Sequence, residues 1–323
     1  MSAPRSSHPP FDRRAIPCEA VESRWLAPDG HAVRRIDWLQ SADACRGSLL
    51  FLPGRGDAYE KYLETLDHWH RRGWQVTAAD WRGQAGSGRL GQDELTGHVG
   101  DFTVWIEDIA VFWQQWQQST PPPHVILGHS MGGHLVLRAL AEGRVGADAA
   151  VLIAPMLGLS NHGMPAGLIH AAARLMAAIG DPRRAAWKWG EKPRALPADR
   201  ISLLTQDKPR YADELWWREA RPEIAMGPGS WGWVASAYGS MRALKLPGLL
   251  ERVQQPVLIL AVDRDRLVDI RAIERAAERL PHAELVRFGP GARHELLREI
   301  DPIRDRALTA IDEFLDRTAP APA

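Results

Sequence analysis

Residues 124–133 read His124-Val125-Ile126-Leu127-Gly128-His129-Ser130-Met131-Gly132-Gly133. The first five form a short apolar run of strand type, and residues 132–142 follow a helical pattern. Gly128-His129-Ser130-Met131-Gly132 therefore fits G-x-S-x-G at the point where a strand passes into a helix. The pattern has a mechanical basis. A serine at such a junction sits on a strained turn that lifts its oxygen clear of the sheet. Small residues two before and two after it let strand and helix approach closely. In this context Ser130 reads as a nucleophile rather than as an idle serine in a glycine-rich turn.

On either side of this junction, apolar runs alternate with helical patterns. Residues 21–26 and 32–39 flank Pro28-Asp29-Gly30 and predict a hairpin. Further strands are expected at 48–52, 74–79, 149–154, 256–262 and 283–288, with helices at 59–72, 102–118, 270–280 and 302–317. Such alternation predicts an α/β fold, a mostly parallel sheet flanked by helices on both faces. The alternation lapses from 157 to 250, where Leu168, Ala172, Leu175, Met176 and Ile179 sit at helical spacing. The expected organisation is a core made of residues 1–156 and 251–323, interrupted by an inserted helical cap at 157–250. Leu157-Gly158 and Pro247-Gly248 mark the expected hinges.

A chain of 323 residues suits one core with one insertion. Lys+Arg and Asp+Glu both number 40, so the basic excess that marks nucleic-acid binders is missing. Cys18 and Cys45 are too few for a disulfide framework and read as reduced thiols. Residues 1–16 contain no apolar signal-type stretch, and no run of about 18 apolar residues occurs; the expectation is a cytoplasmic protein.

A serine hydroxyl needs a base at neutral pH. In this setting the chain order is nucleophile, acid, histidine. His294, in Gly291-Ala292-Arg293-His294-Glu295, follows the last expected strand and lies in a loop. His282 precedes that strand, at its opposite end. The acid belongs just past the strand at 256–262, where Asp263-Arg264-Asp265-Arg266-Leu267-Val268-Asp269 offers three aspartates. Asp269 suits the start of the next helix, which leaves Asp265, with Asp263 as the alternative. A developing oxyanion needs backbone donors. One is the amide of Met131. The second is assigned to Arg55, in the loop Pro53-Gly54-Arg55-Gly56-Asp57 after the first core strand. Anion binding by the Arg55 side chain is a weaker reading, because an exposed arginine is ordinarily just solvated.

With these residues in view, the sequence resembles the lysophospholipase and monoacylglycerol lipase branch of the α/β-hydrolases, especially bacterial lysophospholipase L2-like proteins. Four segments carry the likeness: Leu52-Pro53-Gly54-Arg55-Gly56-Asp57, Asp80-Trp81-Arg82-Gly83-Gln84-Ala85-Gly86-Ser87-Gly88-Arg89, Gly128-His129-Ser130-Met131-Gly132 and Gly291-Ala292-Arg293-His294-Glu295. Leu204-Thr205-Gln206-Asp207 and Gly227-Pro228-Gly229-Ser230-Trp231-Gly232-Trp233 are also similar. The likeness extends over about residues 21–314. It implies the α/β-hydrolase fold, Asp265 as the acid, and a lysophospholipid or monoacylglycerol as substrate. Two departures matter. The branch commonly has His-Gly where this chain has Pro53-Gly54, so any role of that histidine side chain is lost while the backbone donor survives. It often has glycine two residues before the acid, where this chain has Asp263. Residues 80–89 read as a structural turn that braces the active-site loops.

Of fourteen tryptophans, six fall in the expected cap: Trp187, Trp189, Trp216, Trp217, Trp231 and Trp233. An acyl chain needs an apolar tunnel, and Trp231, Trp233 and Trp216 are candidates to line it, against ordinary packing of the cap. The expected reaction is hydrolysis of a carboxylic ester of a single-chain lipid or small molecule through an acyl-enzyme, with no cofactor and no metal. Small-ester, thioester or amide hydrolysis is the rival. An aminopeptidase would need acids such as Asp213, Glu214 and Glu219 to hold an amine. A non-catalytic binding protein would lack a member of the triad, and none is missing. Exposed cap tryptophans would permit transient contact with a membrane surface, although no basic amphipathic helix argues for it.

Overall fold

A computed structural model describes residues 11–41, 45–161, 163–187 and 200–322. Among these residues eight strands form one sheet in the order β1-β2-β4-β3-β5-β6-β7-β8. The strands are β1 (Ala20–Leu26), β2 (Ala32–Trp38), β3 (Gly47–Leu52), β4 (Trp74–Ala79), β5 (His124–His129), β6 (Ala149–Ile153), β7 (Val257–Val262) and β8 (Ala283–Phe288). β1 and β2 form the expected hairpin, and β2 also runs antiparallel to β4; all remaining neighbours are parallel.

β3, β5, β6 and β7 are buried at every position. An apolar run without alternation is what a strand covered on both faces requires. Successive side chains still go to opposite layers. Leu49, Phe51, Val125 and Leu127 join the layer of α1 (Leu63–Arg71) and α9 (Asp301–Thr318). Leu50, Leu52 and Ile126 join the layer of α2 (Thr103–Ser119), α3 (Met131–Ala141) and α8 (Ile270–Ala277). The helix expected at 59–72 begins instead as a 3-10 turn, Tyr59–Tyr62, before α1.

Between β6 and β7 the described chain forms α4 (Ala166–Ala178), α5 (Arg200–Leu204), α6 (Lys208–Ala220) and α7 (Trp231–Ala243). The helical spacing around Leu168 does make a helix, but the large apolar side chains of that stripe do not face inward. Leu168, Leu175 and Ile179 are 67%, 58% and 69% exposed. α4 packs on α7 and buries the small Ala173 instead, since a small residue lets two helices approach. The segment at 227–230 is tied to the loop before α2 by backbone bonds, with Gly97 N donating to Pro228 O and Ser230 N to Gly97 O, both at 2.9 Å. Ser230 also caps α7 by accepting from the Trp233 amide at 3.0 Å.

Residues 80–88 lie beneath the loop at 53–57. Trp81 Nε1 donates to Pro53 O at 2.7 Å, and Gly56 N donates to Gln84 Oε1 at 2.8 Å. The turn is in turn anchored by Arg34, whose guanidinium bonds Asp80 at 2.7 Å and Glu60 at 2.7 and 2.9 Å. Both carboxylates are fully buried. Removing the cation would leave the buried Asp80 without its guanidinium and Glu60 with Arg221 alone, 3.0 Å away. Arg34→Met is therefore expected to destabilise the protein by about 3–5 kcal/mol, read from urea unfolding, and Glu60→Gln in the same chain should restore part of the loss.

Candidate active site

β5 ends at His129 and α3 begins at Met131, so Ser130 alone makes the turn. Its φ of 52° and ψ of −114° lie where non-glycine residues are strained, at a cost of order 1–3 kcal/mol. Three backbone bonds hold it there: Ser130 N donates to Ile153 O at 2.9 Å, and Ser130 O accepts from Met156 N at 2.9 Å and His134 N at 3.1 Å. The flanking glycines are steric necessities. A Cβ on Gly128 would sit 2.6 Å from the Gly132 backbone, and one on Gly132 would sit 2.3 Å from Leu52 O.

The three residues expected to act together meet. Ser130 Oγ lies 2.9 Å from His294 Nε2, and His294 Nδ1 lies 2.6 Å from Asp265 Oδ2. The second oxygen, Asp265 Oδ1, accepts from the amides of Leu267 and Val268 at 2.7 and 3.1 Å. Burial alone would raise the Asp265 pKa; the His294 charge and these hydrogen bonds outweigh it and hold the carboxyl below its ordinary value. Burial disfavours the charged imidazole of His294, and the Asp265 carboxylate overcomes that, so its pKa is raised. Asp263 points elsewhere and pairs with Arg287 at 2.7 Å. Asp269 caps α8 through the Arg271 amide. His282 lies exposed at the far end of β8.

The loop at 53–57 presses against the nucleophile: a Cβ on Gly54 would stand 3.2 Å from Ser130 Cβ. Gly54 N donates to Asp57 Oδ2 at 3.2 Å and Gly56 N to Gln84, which fixes the amides on either side of Arg55. The amide of Met131 opens α3, where a helix has no intrahelical acceptor for its N–H groups.

Behind this loop lies a buried ionic cluster that no motif announced. Lys61 Nζ contacts Asp57, reaches Glu295 at 2.6 Å and Glu214 at 3.3 Å. Arg298 contacts Glu295 and lies 3.1 Å from Glu214, and Arg200 lies 2.8 Å from Glu214. His129 Nδ1 meets Tyr62 OH at 3.0 Å and Asp57 at 3.3 Å. The cluster joins the loop at 53–57, the loop of His294 and the helix α6. The end of α5 also holds the histidine loop directly, with Glu295 N donating to Leu204 O at 2.8 Å. His129 and Glu295 sat inside quoted motifs; Lys61, Tyr62, Arg200 and Arg298 carried no spacing rule that would have found them.

A cavity of about 550 Å³ opens above Ser130 and His294. Its walls are largely apolar: Met156, Leu159, Ile169, Met226, Val234 and Tyr238, with Trp187, Trp231 and Trp233. Such a size and lining suit a ligand with a long apolar part. Trp231 and Trp233 line this cavity. Trp216 does not. It packs edge-on against Trp217 at 4.9 Å and beneath Arg14, because this side of α6 covers the N-terminal segment. Trp189 lies outside the described residues. Among the described residues no group of His, Cys, Asp and Glu is arranged to hold a metal, and no helix is long and apolar enough to cross a membrane.

Residues 43–301 match the family described as serine aminopeptidase, S33. Lysophospholipase L2 of Escherichia coli K12 is 35% identical over 285 residues, covering 83% of this chain and 80% of that protein. The probable lysophospholipase L2 of Haemophilus influenzae is 25% identical, with 86% of each chain covered. A soluble variant of monoglyceride lipase from Saccharomyces cerevisiae, solved with a substrate analogue, superposes with a TM-score of 0.73 at 19% identity, covering 96% of this chain and 99% of that one. The chain belongs to the serine aminopeptidase S33 family of α/β-hydrolases, in their lysophospholipase and monoacylglycerol lipase branch.

Proposed function

We propose that this protein is a serine hydrolase that cleaves the acyl ester of a lysophospholipid or monoacylglycerol. The observation that carries the reading is the chain of contacts from Ser130 through His294 to Asp265, 2.9 and 2.6 Å, on the floor of a largely apolar cavity. In this reading residues 1–156 and 251–323 are the core and 157–250 the cap over the cavity. His294 Nε2 takes the Ser130 proton as Oγ attacks the ester carbonyl. The amides of Met131 and Arg55 receive the developing oxyanion. Asp265 holds the imidazole in one tautomer and supports its charged form. His294 then hands the proton to the leaving alcohol, and water, activated by the same imidazole, releases the fatty acid. Trp231 and Trp233 flank the acyl chain.

An aminopeptidase reading finds less support. Asp213 is bound by Arg13 and Arg14 at 2.6 and 2.7 Å, and Glu214 by Arg200 and Arg298. Of the carboxylates lining the cavity, Asp57 and Glu295 are neutralised by Lys61. None of these is left to hold a substrate ammonium. The exposed Leu168 and Leu175 of α4, with Ile179 at its C-terminal cap, favour transient contact of the cap with a lipid surface. A cytoplasmic location completes the reading, with Cys18 and Cys45 as free thiols.

Ser130→Ala should abolish ester hydrolysis, a loss on the order of 10⁶ in turnover, together with labelling by a fluorophosphonate. Labelling that survives the substitution would refute the nucleophile.

The raised pKa of His294 fixes the sign of the pH dependence. The base must be neutral, so activity falls as pH drops through a midpoint above the ordinary imidazole value. Asp265→Asn should lower turnover by about 10⁴ and move that midpoint down, while Asp263→Asn changes little. The check is a pre-steady-state pH profile for each variant; a flat profile from about pH 5 to 8 contradicts a histidine base.

Each buried methylene contributes at most about 0.8 kcal/mol, or roughly fourfold. Lengthening a p-nitrophenyl ester from four to eight carbons should therefore raise kcat/KM by up to about two orders of magnitude. Trp231→Ala and Trp233→Ala should erode that preference more than they erode acetate hydrolysis. Equal losses at all lengths would make these residues cap packing only.

A further inference from the structure

The loop at 53–57 places a charge in the cavity that the mechanism above does not use. Arg55 lines the cavity beside Ser130. No carboxylate pairs with its guanidinium among the described residues. Nη2 donates to Gly227 O at 2.9 Å, and Nε is buried with no hydrogen-bond partner. The guanidinium carbon stands 4.9 Å from the ring centroid of Trp233 and 5.4 Å from that of Trp187. Contact through the π faces stabilises the cation without consuming its N–H donors.

The neighbouring acids are already committed. Asp57, Glu214 and Glu295 face Lys61, Arg200 and Arg298, three charges against three. That cluster has no negative charge to spare for Arg55. Burial first, and then the like charge of Arg200, push Arg55 down to about 10. The group stays charged at neutral pH under a strain that an anion would relieve. A half-buried arginine whose Nε is buried and orphaned invites an oxyanion with several acceptor oxygens, and phosphate matches the guanidinium fork.

We infer that the Arg55 guanidinium receives the phosphate of the substrate's head group, so that this cavity takes single-chain phospholipids in preference to their neutral glyceride counterparts. The inference rests on the ester-hydrolase reading above and deepens it. Arg55 then serves twice: its amide faces the oxyanion and its side chain faces the phosphate. The alternative is a purely structural clamp, in which Arg55 only joins the core loop to Trp187, Trp233 and Gly227 of the cap.

The test compares kcat/KM for lysophosphatidylcholine and monoacylglycerol of the same acyl chain, below their critical micelle concentrations, in the wild type, Arg55→Gln and Arg55→Lys. The ratio within each protein cancels any general loss of active enzyme. Arg55→Gln should lower the phospholipid-to-glyceride ratio by about tenfold or more, and Arg55→Lys should retain part of it. An independent measurement needs no variant: glycerophosphocholine should inhibit p-nitrophenyl octanoate hydrolysis by the wild type at concentrations where glycerol does not. Inorganic phosphate that inhibits as well as glycerophosphocholine would overturn the head-group assignment. So would equal losses on both lipids in Arg55→Gln, the signature of a clamp. If the wild type cleaves p-nitrophenyl esters and neither lipid, the lipid-ester reading itself fails. If it cleaves both lipids with an unchanged ratio in Arg55→Gln, that reading stands and only the phosphate assignment falls.

Discussion

Everything in the site depends on one residue held against its own preference. Ser130 turns the chain from β5 into α3 by itself, at a φ of 52°. A turn of one residue brings the N-terminus of α3 against the end of β3, close enough that Gly132 admits no side chain over Leu52 and Pro53. That contact is what puts the Met131 amide and the loop at 53–57 on the same side of the hydroxyl. The strain is met by the sheet: Ile153 of β6 and Met156 beyond it bond the serine backbone from the next strand. A buried parallel sheet is stiff enough to impose this geometry, because its central strands are packed on both faces and cannot relax independently.

The second constraint is electrostatic. Lys61 reaches Asp57 on the loop at 53–57, Glu295 next to the histidine and Glu214 on α6. Burying six charges is expensive, and an apolar replacement of matched volume would cost less in stability. What the ionic version supplies is directionality. Each charged group has a fixed number of partners at fixed geometry, so two loops and the helix α6, from distant parts of the chain, are held in one register. The Leu204 carbonyl adds a backbone link between α5 and the histidine loop. The helices between β6 and β7 are therefore attached to the loop of the catalytic histidine as well as to the wall of the cavity.

How much of this was legible in the sequence varies with the range of the interaction. The α/β order and the serine turn are local: apolar runs of strand length, glycines two before and two after, a helix directly following. Asp265 is preferred to Asp263 on the place of the loop together with the resemblance, and the geometry supplies a physical reason for that preference. Two amides of its own loop hold Asp265 toward His294, while Asp263 is drawn to Arg287 on β8. Periodicity failed where it was asked for more than it holds. The stripe from Leu168 to Ile179 identified a helix, but which face turns inward was decided by α7, a partner about sixty residues away. Composition failed for Trp216 in the same way, since a tryptophan count says nothing of direction. The ionic cluster was invisible because its members come from four segments, and each looks like an ordinary surface charge beside its sequence neighbours.

Arg55 shows how much a solvation assumption can decide. As an exposed side chain it would be bland. Held between two indole faces, with a buried Nε and no acid meeting it among the described residues, it becomes an unneutralised cation in a largely apolar wall. The loop that carries it divides its labour residue by residue. The amides of Gly54 and Gly56 are spent on fixing the backbone, and the Asp57 side chain is spent on the buried cluster. The Arg55 amide and guanidinium are what remains. Because the anchoring charges are balanced among themselves, a ligand can draw on Arg55 without unbalancing the scaffold. A loop built this way can keep its oxyanion geometry fixed while the side chain at its apex sets which head group enters.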